Sequence, residues 1–156
     1  MRLKNFRNYK SLALDLEPVP VIATGPNGAG KTNLLEAISF LSPGRGLRQA
    51  RLSDIDINPT GLSDATGGWA VAATVETIHG PIEIGTGRMA EEEKRVVRIS
   101  GAPAKSQSVL AEYVSAVWLT PQMDRIFIDG PSGRRRFMDR LAFGFDSAHA
   151  GRVSAY

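Results

Sequence analysis

Gly25-Pro26-Asn27-Gly28-Ala29-Gly30-Lys31-Thr32 is the stretch whose reading decides the fold of this 156-residue chain. It satisfies the spacing G-x-x-x-x-G-K-[ST] in full, and each position has a physical task. Glycine permits backbone angles and a closeness of approach that a side chain would block. The N–H groups of such a loop, together with the positive end of the helix that follows, form a nest for phosphate oxygens. Lys31 brings an ammonium to the β- and γ-phosphates, and the Thr32 hydroxyl is placed to ligate Mg2+. With glycine near ~7% of ordinary residues, a chance match is on the order of one in a hundred for a chain of this length.

The flanks supply the context that the motif requires. Val21-Ile22-Ala23-Thr24 is a short apolar run with β-branched content, which reads as a strand buried on both faces. A helix is expected from near Lys31, with Leu34, Leu35, Ile38 and Leu41 on one face and Ser42-Pro43-Gly44 as its stop. Strand, glycine loop and amphipathic helix in that order predict ATP and Mg2+ binding by residues Gly25 to Asn33.

Further out, Leu3, Asn5, Leu12, Leu14 and Leu16 alternate with polar residues and predict two short strands joined near Arg7–Tyr9. The Gly-, Ser- and Pro-rich run from Asn58 to Gly68 reads as a surface loop. Beyond it, Trp69, Val71, Ala73 and Val75 alternate, His79-Gly80-Pro81 turns, and Ile82 and Ile84 alternate again. That pattern is an antiparallel hairpin, with Arg95–Ile99 as a third strand. Gln107–Tyr113 reads as a short helix, Val114–Leu119 as an apolar strand stopped by Pro121, and a helix is expected after Pro131 through Phe145. Asp146 is placed to cap a new helix, yet Ser147–Tyr156 closes without a stop signal, so the chain is expected to end inside an element.

Composition agrees with one soluble α/β domain: 42% hydrophobic, 22% charged and no cysteine, which excludes a disulfide framework and a thiolate metal site. No apolar stretch approaches the ~20 residues of a membrane helix, and Met1–Lys10 carries four cations with no apolar run behind them, unlike a secretion signal. A cytoplasmic location is expected. The net charge of +3 is unevenly spread. Residues 1–51 hold eight Lys/Arg against three Asp/Glu, residues 52–120 five against nine, and residues 121–156 six against four. Basic ends around an acidic middle suggest an anionic partner, nucleotide or nucleic acid.

Four blocks carry a more specific resemblance. They are Leu3-Lys4-Asn5-Phe6-Arg7-Asn8-Tyr9, Gly25–Asn33 with Leu34-Leu35-Glu36-Ala37-Ile38, Leu41-Ser42-Pro43-Gly44-Arg45-Gly46-Leu47-Arg48, and Gly130-Pro131-Ser132-Gly133-Arg134-Arg135-Arg136-Phe137-Met138-Asp139-Arg140. Together they resemble the RecF family, relatives of SMC heads. The resemblance implies an α/β P-loop NTPase of ABC/SMC-head type, with a central sheet holding the P-loop strand and an added antiparallel β-layer. It implies an ATP-dependent homodimer, binding to double-stranded or gap-junction DNA and to single strands, loading of recombinase at gaps, and RecR and RecO as partners. It also implies that Arg7 contacts nucleotide phosphate and that Gln122 senses Mg2+ and water. A solvated arginine and a surface glutamine stand beside those two readings.

Arg45, Arg48, Arg134, Arg135 and Arg136 are candidates for contact with DNA phosphate or a partner acid. At 100° per residue the last three sweep 200° of helix surface and cannot all face one ligand. Asp139 lies at i+4 from Arg135 and i+3 from Arg136, within pairing distance of either. The chain departs from the family at Gln122, where an acidic residue usually follows the proline, and at Asp129, where glycine is common.

Hydrolysis in this class needs a Walker B aspartate with an adjacent glutamate, and a Ser-Gly-Gly-type signature from a second subunit. Ile126-Phe127-Ile128-Asp129 is followed by Gly130, and Gly67-Gly68 lies between Thr66 and Trp69, so neither element is present. Residues 1–156 are therefore expected to be the P-loop lobe of a head incomplete at its C-terminus, the longer protein being a slow, Mg-dependent, DNA-stimulated ATPase. Rival readings are another ABC or SMC head, a small-molecule P-loop kinase, and a nucleic-acid-binding module with a vestigial loop.

Overall fold

The computed structural model describes residues 1–57, 67–128 and 130–146, and residues 148, 149 and 152. Six strands form one antiparallel sheet in the order β2-β1-β3-β4-β5-β6. They are β1 (Arg2–Phe6), β2 (Tyr9–Ala13), β3 (Gly68–Thr77), β4 (Gly80–Met89), β5 (Arg95–Ile99) and β6 (Ala102–Pro103). The helices with described bounds are α1 (Lys31–Ser39) and α2 (Pro131–Phe145), with 3-10 turns at Leu52–Ile55, Gln107–Glu112 and Pro121–Arg125. The first two strands, the hairpin, the third strand and both helices lie where the sequence places them.

Strict alternation gives the sheet two unlike faces, because successive side chains point to opposite sides. Leu3, Val71, Ile84 and Val97 point inward and are buried, as are Phe6 and Trp69. Phe40, from the end of α1, meets both aromatic rings, at 6.0 Å from Phe6 and 5.0 Å from Trp69 between centroids. The Trp69 indole donates to Leu52 O at 3.0 Å, which satisfies its one polar group inside the core. The opposite face carries Arg2, Lys4, Ala70, Ala72 and Arg98, all exposed.

Two expected strands are absent. Residues 21–24 and 114–119 form no sheet, and Ile22 is 85% exposed. A buried strand needs a neighbour to take its backbone hydrogen bonds and cover on both faces, and among the described residues none pairs with either run. The sheet present is therefore the antiparallel layer, and a central sheet holding the P-loop strand is not seen among the described residues.

The face of α1 also differs from expectation. Glu36, Ala37, Phe40 and Leu41 are the residues buried against the sheet, whereas Leu35 is exposed. Leu35 and Ile38 instead line a cavity of about 720 Å³ whose other wall is Ala116–Gln122. The helix is thus apolar on two sides, one covered by the antiparallel layer and one turned toward the unpaired run. Residues 58–66 of the loop predicted from Asn58 to Gly68, Asp129, and most of Ser147–Tyr156 lie outside the described residues, while Gly68 already opens β3. Asp146 Oδ1 does accept from the backbone N–H of Ala148 at 2.9 Å, as a helix cap would.

Candidate nucleotide-binding site

The loop from Gly25 to Gly30 leads directly into α1. Gly25, Gly28 and Gly30 have φ of +147°, +85° and +101°, the region that only glycine enters without strain. At Gly30 the requirement is double, since an added Cβ would come within 2.6 Å of the Asn8 amide and 2.8 Å of the Tyr9 hydroxyl. Gly30 is also the N-cap of α1. No side chain caps the helix there and no acidic residue occupies its first turn. The first N–H groups are thus left without side-chain acceptors at the positive end of the dipole, which is the chemistry that receives an anion.

Lys31 Nζ donates to Gly25 O at 2.7 Å and Pro26 O at 2.8 Å, so its ammonium lies against the loop it is meant to serve. Thr32 is exposed one residue further. Positive-φ glycines, open helix N–H groups, a lysine folded onto the loop and an adjacent hydroxyl together fit a triphosphate with its Mg2+.

Behind the loop stands a polar cluster that sequence reasoning missed. Glu36 is completely buried on α1, yet it is not alone. Arg7, in the turn between β1 and β2, donates Nε to Glu36 Oε2 at 2.9 Å and Nη2 to Oε1 at 2.8 Å, and Nη1 to Asp54 O at 2.7 Å. Arg48 Nη1 reaches Glu36 Oε2 at 2.6 Å and Asn33 Oδ1 at 2.7 Å. Asn33 Nδ2 in turn donates to Asn8 Oδ1 at 2.8 Å. One carboxylate serves two guanidinium groups, which leaves a net positive charge beside the loop. The signal was present in the sequence, as a lone acid on a face of α1 that otherwise buries apolar groups.

Arg7 is therefore engaged internally through all three nitrogens and anchors the turn to α1. Arg48 is more open, at 40% side-chain exposure, and shares the 720 Å³ cavity with Thr32 and Gln122. The structure thus brings Gln122 to the threonine side of the loop, from the 3-10 turn that Pro121 opens.

The arginines of α2 are partly occupied. Arg134 Nη1 lies 3.3 Å from Ile126 O, and Arg136 donates to Ser132 O at 3.3 Å and Gln49 Oε1 at 3.4 Å. Asp139 pairs with His149 at 3.1 Å and with neither Arg135 nor Arg136, which corrects the helical pairing expected from spacing. Spacing alone overlooked an imidazole delivered by the chain after the helix. Arg140 stacks 3.5 Å over the Trp118 ring, and burial, with Arg136 nearby, lowers its guanidinium from the ordinary value. Arg45 and Arg135 are exposed and make no hydrogen bond or ion pair among the described residues.

Just past the far end of α1, Arg95 holds the carbonyls of the cap residue and of the turn that follows. Its guanidinium donates to Gly44 O at 2.7 Å, to Ser42 O at 3.2 Å and to Phe40 O, while Nε reaches Thr86 Oγ1 at 2.7 Å. Burial pushes it down to about 10, so it stays charged at neutral pH and complements the negative end of α1.

An AAA domain family model matches residues 1–107. Over its whole length the chain is 46% identical to the DNA replication and repair protein RecF of Rhizobium etli (strain CIAT 652) and 48% identical to that of Brucella suis biovar 1. The chain belongs to the RecF family of AAA-domain proteins. It spans about two fifths of the length of the curated relatives it matches, 41% and 40% in these two. Two solved structures are also similar, each 26% identical and covering 93% of this chain. They are described as the recombination mediator protein RecF-ATP in the RecFOR pathway, with a TM-score of 0.78 over 37% of that chain, and its RecF-ATPrS counterpart, with 0.77 over 38%. The fold is thus that of an α/β P-loop NTPase, of which the six-stranded sheet is the antiparallel layer. Among the described residues no helix is long and apolar enough to cross a membrane.

Proposed function

We propose that residues 1–156 form the nucleotide-binding lobe of an ATP-dependent recombination mediator acting in DNA replication and repair. The observation that carries this reading is the loop itself: three glycines at positive φ, an uncapped helix start and Lys31 folded onto the loop carbonyls. ATP would be held by residues Gly25 to Asn33, with Lys31 on the β- and γ-phosphates. Mg2+ would be held by Thr32, and when bound it neutralises phosphate charge. Gln122 lines the same cavity as Thr32 and would orient water or metal on that side.

Arg7 acts at one remove. It fixes the β1–β2 turn through Glu36, and so sets Asn8 against Gly30. The wider role includes an ATP-dependent homodimer, binding to double-stranded or gapped DNA, RecO and RecR as partners, and recombinase loading at gaps. Support for these comes from the RecF relatives and the pathway named for the solved structures.

The experiment is a titration of Mg·ATP into the protein and its Lys31→Ala variant. The wild type is expected to bind and the variant to bind at least 100-fold more weakly. Equal binding by the two, or none by the wild type, removes the reading.

A further inference from the structure

The arginines nearest the loop are tied to Glu36, but a second group of cations is not. On the outer face of the sheet, in-register rows run across the strands. One row is Ser11, Lys4, Ala70, Gly87 and Val96, and the next is Ala13, Arg2, Ala72, Gly85 and Arg98. Arg2 and Lys4 therefore stand side by side on β1, about 6.8 Å apart, and Arg98 lies roughly 14 Å away across three strand spacings. Between these cations the floor is made of Ala70, Ala72, Gly85 and Gly87.

Arg2, Lys4 and Lys10 line a groove of about 590 Å³ at this edge and make no ion pair among the described residues. Glu76 and Glu83 lie on the same face beyond Thr74, and they bound the positive patch on one side.

The glycines of the floor differ in kind. A Cβ at Gly87 would come within 2.3 Å of Trp69 O, so packing between strands demands glycine there. A Cβ at Gly85 would meet nothing closer than 3.9 Å, and no positive φ excludes it. Glycine inside a strand costs stability, and it often marks close approach by a ligand or another backbone. Nothing in the fold accounts for Gly85.

We infer that this outer face docks the phosphodiester backbone of duplex DNA, with Arg2, Lys4, Lys10 and Arg98 as phosphate contacts and the Ala-Gly floor as the surface of closest approach. A duplex presents one negative charge per ~1.7 Å of axis, so cations at these spacings each find a phosphate. The core of a protein–protein interface is enriched in aromatic residues and methionine, and the two rows between these cations carry none. Contacts of this kind carry no base recognition, so the site is indifferent to sequence.

The inference rests on the DNA-binding part of the proposed function, and it is tested on the full-length protein by duplex-oligonucleotide titrations across a range of salt. The variants are the triple Arg2→Ala/Lys4→Ala/Lys10→Ala and, separately, Gly85→Leu, with Lys105→Ala as an exposed cation removed elsewhere. The triple variant is expected to bind at least tenfold more weakly at moderate salt. Its log–log salt slope should fall by about 2 to 3, near 0.9 for each phosphate no longer neutralised.

Gly85→Leu, which alters no charge, should also weaken binding by filling the floor, while ATP affinity stays unchanged in both. If the wild type binds duplex and both variants bind with the same affinity and slope, this face is not the site and the rest of the proposal stands. If the wild type binds ATP but no duplex, the DNA-binding reading itself falls and this inference with it. Unchanged duplex binding, with capture of a polyglutamate peptide abolished, would overturn the inference in favour of an acidic protein.

Discussion

Arg7 and Glu36 form a two-pronged ion pair, at 2.8 and 2.9 Å, across the boundary between the β1–β2 turn and the middle of α1. The carboxylate is wholly buried, and it is shared with Arg48. A buried charge is tolerated only when paired and hydrogen-bonded, so this cluster constrains both the turn and the helix beside the phosphate loop.

Removing the shared acid should leave Arg7, 20% exposed, without its carboxylate, while the more open Arg48 turns to solvent. Glu36→Ala is expected to cost roughly 3–5 kcal/mol of folding stability, the usual penalty for breaking a buried pair from one side. Urea unfolding measures it, and a loss under ~1 kcal/mol would mean that the cluster contributes little.

Lys31→Ala should behave in the opposite way. Its ammonium bonds only to exposed carbonyls of the loop, so stability should change by no more than about 0.5 kcal/mol. Thermal unfolding of the variant, run beside the ATP titration, separates a binding defect from a folding defect.

Gly30→Ala and Gly28→Ala form an informative pair. Both place a side chain at positive φ, at a cost of about 1–2 kcal/mol, but only at Gly30 does the new methyl meet Asn8 and Tyr9. The Gly30 variant should therefore be the less stable by denaturant titration, and it should lose more nucleotide affinity. Equal effects would show that the packing of Gly30 on the β1–β2 turn is unimportant.

Arg95→Lys keeps a charge and loses the fork. A single ammonium cannot reach Thr86 and several α1-end carbonyls together, so roughly 2–4 kcal/mol should be lost as charge-assisted hydrogen bonds disappear. The melting temperature registers this, with Arg98→Lys on the outer face as the comparison expected to change little.

Local patterning made much of this fold legible. Period-2 alternation marked Trp69–Val75 and Ile82–Ile84, and the His79-Gly80-Pro81 turn joined them, because both signals lie within a few residues of one another. The phosphate loop was legible for the same reason. Partners distant in sequence were not.

Glu36 and Arg7 are 29 residues apart, and of the face that periodicity assigned to Leu34, Leu35, Ile38 and Leu41, Leu41 is in the core and Leu34 packs against it, while Leu35 and Ile38 face the cavity and the sheet covers Glu36 and Phe40. The runs 21–24 and 114–119 have strand composition, but composition cannot provide a neighbouring strand. Asp139 found His149 for a similar reason, since helical spacing names only partners on the same helix.

Two fastenings lie at different points along α1: the Arg7–Glu36 pair grips its middle, and Arg95 grips the cap carbonyl at its end. A rod bolted at two points to a plate cannot swivel on it.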